Sequence, residues 1–219
     1  EMSRGLGDVY KRQIYHEALE RYSKKLDRES TDWFSVTDAK RDELAMEAIN
    51  EVIDEYAGFG IFDTAESQHS ISHMKAVFKQ TVWALTTQIR RGSFVPERFE
   101  FSFYESLDMA NDVTVDIKGR VDRTDTYTDE GRLFVKVLDY KSGNTVFDLV
   151  KLYYGTQLQL AVYMDAVMEQ KKEALKQVSV EPGGMLYYHI DDPVIDLKDV
   201  TPGTEMSEEE ICLLYTSPS

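Results

Sequence analysis

Two aspartates and a lysine lie in segments that alternate between polar and apolar side chains, as β-strands do. In the stretch VLDYKSG, Asp139 and Lys141 point to one face of a strand and Tyr140 points to the other. Asp122 ends the alternating stretch DVTVDIKGRVDR, in which Gly119 permits close approach of another part of the chain. Carboxylates bind hard cations through oxygen, and a lysine can orient water or stabilise charge on a phosphate. These residues suit hydrolysis of a phosphate ester, although the same patterns also fit a surface ion pair and a strand-end cap.

Four further polar residues could complete such a site. Gln159 and Tyr163 are four residues apart in LQLAVY, so they share a helix face, where buried polar side chains need partners. Glu100 lies between aromatic residues in FEFSF and faces either solvent or a cation. His16 lies on the first helix, with Glu20 one turn later. Each has a plainer interpretation, since Tyr163 also fits a core tyrosine with a satisfied hydroxyl and a lone histidine is commonly structural.

The periodicity of the chain indicates the elements that must position these residues. Apolar residues at helical spacing predict helices at 14–27, 38–57, 64–91 and 148–173. Alternation with β-branched and aromatic side chains predicts strands at 97–104, 112–123, 132–141 and 183–190. TDEGR at 128–132 predicts a turn between the second and third strands. This order predicts an α/β fold, with an N-terminal helical region and a mixed β-sheet flanked by helices.

Composition narrows the class of protein. The 219 residues, 42% of them apolar, are enough for one large domain or a compact pair with a buried core. The apolar runs are short and broken by charge, so the sequence predicts neither a membrane span nor a signal peptide. A net charge of −15 argues against a passive nucleic-acid coat but permits an enzyme that holds metal ions in a carboxylate pocket. A single cysteine excludes a disulfide framework and favours a reducing compartment.

The two ends of the chain can be encoded by one DNA sequence read on opposite strands. DVYKRQ, residues 8–13, can be written GAT GTG TAT AAG AGA CAG; the reverse complement, read one base later, encodes CLLYTS, residues 212–217. This DNA resembles the mosaic end of a transposase-based sequencing adapter, and the resemblance covers residues 3–13 and 212–219. We therefore interpret residues 1–13 and 212–219 as adapter-derived and not native, and the chain as a fragment of metagenomic origin.

Setting the ends aside changes the charge and the cysteine count. The basic residues fall from 25 to 22 and the acidic residues from 40 to 38, so residues 14–211 carry a net charge of −16. Cys212 lies in the excluded stretch and receives no redox, metal or nucleophilic role. We expect the native domain to extend beyond residues 14–211 at both ends.

The motifs follow one another in an order that is more specific than any of them alone. GRVD at 119–122, DYK at 139–141 and QLAVY at 159–163 come after an upstream histidine. This pattern resembles the PD-(D/E)XK nuclease superfamily, and in particular its RecB-like branch, in which Gly-x-x-Asp, Asp-Tyr-Lys and Gln-x-x-x-Tyr recur. The stretches VKVLDYKSGNTVFDLVKLYYGTQLQLAVYMDA and GGMLYYHIDDP further resemble the C-terminal nuclease domain of AddB-type (RexB-like) subunits of ATP-dependent helicase–deoxyribonucleases.

The resemblance implies a metal-dependent DNA exonuclease domain that hydrolyses phosphodiesters in double-strand break repair and recombination. Four residues would surround Mg²⁺ or Mn²⁺: His16, Glu100, Asp122 and Asp139. Lys141 would assist the attacking water and complete the catalytic set with the three carboxylates. Four others would support the site or the DNA: Gly119, Tyr140, Gln159 and Tyr163. Residues 14–96 would be the helical part of the nuclease domain, 97–200 its core, and 201–211 the start of a truncated C-terminal segment.

The same resemblance implies partners and a second cofactor. The DNA would be a single strand from an unwound duplex, and an AddA-type, ATP-binding helicase–nuclease subunit would complete a heterodimer in the bacterial cytoplasm, away from the membrane. Full-length members carry a [4Fe–4S] cluster held by cysteines, but residues 14–211 contain none of these, so the fragment alone can be unstable or inactive. Two alternatives stay open: a stand-alone RecB-like exonuclease of the CRISPR-associated kind, and a DNA-binding scaffold that keeps the fold without cleavage.

Overall fold

The computed structural model describes residues 2–58, 65–109, 113–141, 148–155, 157–176 and 178–190, which form two compact units. The helical unit comprises residues 2–58, 65–92, 141 and 188–190. The sheet unit comprises residues 93–109, 113–140, 148–155, 157–176 and 178–187. The predicted segments 201–211 and 212–219 lie outside the described residues.

Three long helices build the helical unit: α1 (Met2–Arg28), α2 (Asp38–Ala57) and α3 (Ala65–Arg90). The apolar stripe predicted on α2 is buried throughout, and it consists of Leu44, Ala45, Ala48, Ile49, Val52 and Ile53. Burial of one large aliphatic side chain stabilises the fold by about 1.5–3 kcal/mol, so this stripe favours the packing of α2 within the unit. The bounds of α2 and α3 confirm the predicted helices.

The first helix begins earlier than the sequence predicts. The prediction starts it at residue 14, whereas α1 continues upstream to Met2. No proline interrupts residues 2–13, so nothing in this stretch blocks the backbone hydrogen bonds of a helix.

In the described part of the chain, four strands form one sheet in the order β1-β2-β3-β4: β1 (Val95–Met109), β2 (Val113–Asp129), β3 (Arg132–Lys141) and β4 (Ser179–His189). β2 is antiparallel to both β1 and β3. Gly183 lies against the Val135 carbonyl, and the Ile190 N–H donates to the Lys141 carbonyl. These contacts advance in the same direction along both strands, so β4 runs parallel to β3. The mixed sheet confirms the predicted α/β fold.

The second strand is longer than predicted. The prediction places Asp122 at the strand end, whereas β2 continues to Asp129 because its last residues pair with β3. The turn lies where TDEGR predicts it: Glu130 and Gly131 have φ angles of 46° and 78°, the left-handed pair that a tight two-residue hairpin requires. Asp122 therefore lies inside the sheet, with a strand on each side.

The last strand also starts earlier than its predicted start at residue 183. Val180 is buried and packs in the core of the sheet unit, so the residues before 183 also belong to β4. Pro182 lacks an N–H group, but β4 lies at the edge of the sheet that the described residues form, where this loss is tolerated.

The helix predicted at 148–173 is two helices, α4 (Leu149–Tyr153) and α5 (Gln159–Ala174). Asp148 caps α4 by accepting two backbone N–H groups of its first turn. The chain leaves the helix at Gly155, whose φ of 72° is a left-handed conformation that glycine adopts without steric cost. The prediction of a single helix was wrong because apolar periodicity does not register this break. Among the described residues, no helix is long and apolar enough to cross a membrane.

The N-cap of α2 provides a test of the helical unit. The Thr37 hydroxyl accepts the N–H of Lys40 at 3.3 Å. We expect Thr37→Ala to lower the free energy of unfolding by about 1 kcal/mol, because that N–H loses its partner. Urea unfolding followed by circular dichroism measures the change, and Thr37→Ser, which keeps the hydroxyl, is the control. A Thr37→Ala chain as stable as the wild type would contradict the capping role.

Candidate active site

Three carboxylates lie on three neighbouring strands of the sheet unit. The β1–β2 register sets Glu100 opposite Asp122, and the β2–β3 register, continued by one residue, sets Asp139 opposite Asp122. Carboxylate oxygens of Glu100 and Asp122 lie within 4.8 Å of one another. Asp122 is 6% exposed and Asp139 is 0% exposed. We call Glu100, Asp122 and Asp139 the carboxylate row.

Both aspartates of the row are held by hydrogen bonds. The Tyr140 N–H donates to Asp122 Oδ2 at 2.6 Å. Gln159 Nε2, in the first turn of α5, donates to Asp139 Oδ1 at 2.8 Å and to the Tyr163 hydroxyl at 2.9 Å. Burial raises the pKa of the Tyr163 phenol above its ordinary value. The shared helix face predicted for Gln159 and Tyr163 is thus directed at the carboxylate row.

Side chains along β2 point alternately to the two faces of the sheet, and this alternation reverses at the carboxylate row. Gly119 lies against the Tyr163 ring of α5, whereas Arg123 contacts the Tyr140 hydroxyl on the face opposite α5. A regular strand would place residues 119 and 123 on the same face, so β2 changes face between them. β1 is distorted at the matching position, where Glu100 has a φ of 50°. Such a conformation costs a non-glycine residue on the order of 1–3 kcal/mol and is typical of functional sites.

Gly119 lets α5 approach β2 closely. The rings of Phe103 and Tyr163 pack edge to face at this point, with centroids 5.7 Å apart. A Cβ on Gly119 would lie 2.7 Å from the Phe103 ring and 3.1 Å from the Tyr163 ring. A side chain at this position would therefore displace the tyrosine that bonds Gln159.

Arg120 lies beside the carboxylate row and is not among the site residues predicted from the sequence. Arg120 Nε is 2.7 Å from Glu100 Oε2, and the Arg120 side chain is 56% exposed. An arginine fork binds phosphate oxygens as readily as carboxylate oxygens. The GRVD motif contains this arginine, but nothing in the motif pairs it with Glu100.

A charged cluster on the sheet face opposite α5 is also absent from the predictions. Arg123 donates to both carboxylate oxygens of Asp125, at 2.6 and 2.7 Å, and Lys136 Nζ lies 2.8 Å from Asp125 Oδ2. We call Arg123, Asp125 and Lys136 the far-face cluster. Burial opposes the charge on Asp125, but the two cations prevail and hold the pKa of its carboxyl below the usual value. The cluster carries one net positive charge behind the carboxylate row.

The remaining predicted site residues lie on three different elements. Lys141 is the last residue of β3, two residues after Asp139, and is half-buried. Tyr140 is 1% exposed, so it can support the site but offers no surface to DNA; burial raises the pKa of its phenol to about 12. His16 lies on α1, in the helical unit, and its role as a metal ligand stays a prediction.

The donor set of the row fits a hard divalent cation. Two oxygens bound to one such ion at about 2.0–2.6 Å lie at most about 5 Å apart, a condition that Glu100 and Asp122 meet. The donors are carboxylate oxygens, which Mg²⁺ and Mn²⁺ prefer. Asp139 adds a third carboxylate on the next strand.

Comparison with known proteins shows which sequences are similar to this chain. Two relatives, each named as a subunit of an ATP-dependent helicase/deoxyribonuclease, are similar to the chain. The protein of Lachnoclostridium phytofermentans is 38% identical over 183 residues, which cover 83% of this chain and 15% of the relative. The protein of Alkaliphilus metalliredigens is 34% identical over 208 residues, which cover 90% of this chain and 18% of the relative.

The chain thus spans less than a fifth of the length of these relatives. Residues 13–211 match the PD-(D/E)XK nuclease superfamily. The match extends over the mixed sheet and includes all three members of the carboxylate row. The chain belongs to the PD-(D/E)XK nuclease superfamily.

Proposed function

We propose that this chain is a metal-dependent DNA exonuclease domain of a helicase–nuclease that acts in double-strand break repair and recombination. The carboxylate row carries the proposal, because Glu100 and Asp122 approach closely enough to share one cation and Asp139 lies on the adjoining strand. A bound Mg²⁺ or Mn²⁺ would neutralise charge on the scissile phosphate and lower the pKa of a water molecule. Membership of a nuclease superfamily and the names of the relatives support DNA as the substrate.

Different residues of the chain would have different roles in hydrolysis. Four would hold the ion: Glu100, Asp122, Asp139 and, as the resemblance implies, His16. Lys141 would orient the attacking water and stabilise negative charge that develops on the phosphate. Gln159 keeps the Asp139 carboxylate in one orientation through a hydrogen bond of 2.8 Å, which reduces reorganisation during the reaction. Arg120 would exchange the Glu100 carboxylate for a phosphate oxygen of the DNA.

The proposed biological setting rests on the resemblance to AddB-type subunits. The substrate would be a single strand from an unwound duplex, presented by an AddA-type helicase–nuclease subunit in the bacterial cytoplasm. Cysteines outside residues 14–211 would hold the [4Fe–4S] cluster. Within the chain, 14–96 and 97–200 would be the helical part and the core of the nuclease domain, and 1–13 and 212–219 would be adapter-derived.

The proposal is tested in the full-length subunit assembled with its helicase–nuclease partner, whose own nuclease site is inactivated so that the measured cleavage comes from this chain. We expect Asp139→Ala and Lys141→Ala each to lower the rate of Mg²⁺-dependent cleavage of linear single-stranded DNA by on the order of 10²–10³-fold, because each removes a group that stabilises the transition state. Asp116→Ala is the matched control, since Asp116 is also in β2 but bonds Ser106.

Two outcomes would contradict the proposal. If both site variants cleave DNA at the wild-type rate, the assignment of the site is wrong. If circular single-stranded DNA is cleaved as fast as the linear form, the enzyme does not require a strand end and is not an exonuclease. A wild-type protein that binds DNA without cleaving it would identify the scaffold alternative.

Gly119 gives a second test of the same site. We expect Gly119→Ala to lower the cleavage rate by about tenfold or more, because the added Cβ displaces the Phe103 and Tyr163 rings and, through Tyr163, Gln159. Gly184→Ala is the matched control, since a Cβ at this other strand glycine meets only Lys136, at an ordinary contact distance of 3.6 Å. Equal cleavage rates for the two variants would show that the close approach at Gly119 does not matter.

A further inference from the structure

The far-face cluster contacts the chain neighbours of the carboxylate row. Arg123 directly follows Asp122 in β2, and its Nη1 lies 3.4 Å from the Tyr140 hydroxyl. The Arg123 guanidinium also lies 5.9 Å from the ring centroid of Phe99, which precedes Glu100. Tyr140 itself follows the third carboxylate of the row in β3. One guanidinium therefore links three strands at positions next to the three carboxylates.

Tyr140 connects the two faces of the sheet. Its hydroxyl meets Arg123 on the far face, while its backbone N–H donates to Asp122 on the face toward α5. The Tyr140 ring is buried, so its position depends on the groups packed around it. A shift of this side chain would move the N–H that holds Asp122.

Stability alone does not account for the cluster. The Arg123 and Asp125 side chains are 1% and 0% exposed, and transfer of such charges out of water often costs as much free energy as the ion pair returns. Apolar residues of similar volume stabilise many proteins as well as a buried ion pair does. The proposed hydrolysis makes no direct use of these three residues. The location of the cluster behind the carboxylate row, and not its contribution to stability, is therefore its distinctive feature.

We infer that the far-face cluster positions the carboxylate row: Arg123, held by Asp125 and Lys136, fixes Tyr140 and Phe99 and so sets the spacing of the carboxylates beside them. The inference rests on the metal site of the proposed function. Arg123 acts through its neighbours and is a positioning residue. Its two parallel bonds to Asp125 need the planar guanidinium fork, which lysine does not have.

The test compares Mn²⁺ binding by variants of the full-length subunit, measured by electron paramagnetic resonance titration. Arg123→Lys keeps the charge and loses the fork, and we expect it to weaken Mn²⁺ binding by about tenfold or more. Tyr140→Phe keeps the buried ring and loses the hydroxyl that Arg123 contacts. We expect this variant also to bind Mn²⁺ more weakly than the wild type. It serves as the test if Arg123→Lys does not fold, which circular dichroism establishes.

Lys171→Met is the matched control for loss of a buried ion pair. Lys171 of α5 is buried and pairs with Glu97 in the same unit. It lies twelve residues after Gln159, about 18 Å along the helix. We expect Lys171→Met to bind Mn²⁺ as the wild type does. The inference is overturned if folded Arg123→Lys or Tyr140→Phe binds Mn²⁺ with wild-type affinity, or if Lys171→Met loses as much affinity as they do.

The Mn²⁺ titration separates this inference from the proposed function. If the wild-type subunit binds Mn²⁺ but leaves DNA intact, the proposed function is overturned. The Mn²⁺ affinities of the variants then still support or overturn the positioning role. A wild-type chain that binds no Mn²⁺ overturns both, because no ligand set is then present to be positioned.

Discussion

The Asp122 carboxylate accepts a backbone N–H from β3 at 2.6 Å, and the rest of the site is arranged around this bond. In a regular antiparallel pair that N–H would serve a backbone carbonyl of the neighbouring strand. The β2–β3 ladder ends at Arg123 and Leu138, and just beyond it a side chain takes the place of the carbonyl. A buried N–H is satisfied and a carboxylate is oriented by the same contact. Because the donor is backbone, the carboxylate is held as firmly as the strand.

The negative charge of the carboxylate row explains why cations and hydrogen-bond donors surround it. Carboxylates that lie close together repel one another, and burial adds to the cost. Arg120 supplies positive charge in a direct ion pair with Glu100, and the far-face cluster supplies a further net positive charge on the face opposite α5. Gln159 and Tyr163 add hydrogen bonds without adding charge. These charges and hydrogen bonds together reduce the repulsion within the row.

Local periodicity is enough to predict most helices and strands and the order in which the motifs occur, because burial of one face leaves a regular pattern of apolar residues. It does not predict the break at Gly155 or the reversal at Glu100, since both depend on a φ angle that no alternation pattern encodes. Arg123 and Asp125 are visible as opposite charges two residues apart in a strand. Their burial is not visible, because it depends on how the whole sheet is covered. The contact between Gln159 and the row likewise depends on where α5 packs.

The reversal at Glu100 also limits how the β1–β2 hairpin can change in length during evolution. Side chains alternate with a period of two, so one inserted residue exchanges the two faces of the strand beyond it. An insertion in β1 just after Glu100 would turn Phe103 away from Tyr163, and a matching insertion in β2 would be needed to restore the register. Gains and losses of residues are therefore expected outside these paired segments. The segments that flank Glu100 and Asp122 can accept changes of residue type far more readily than changes of length.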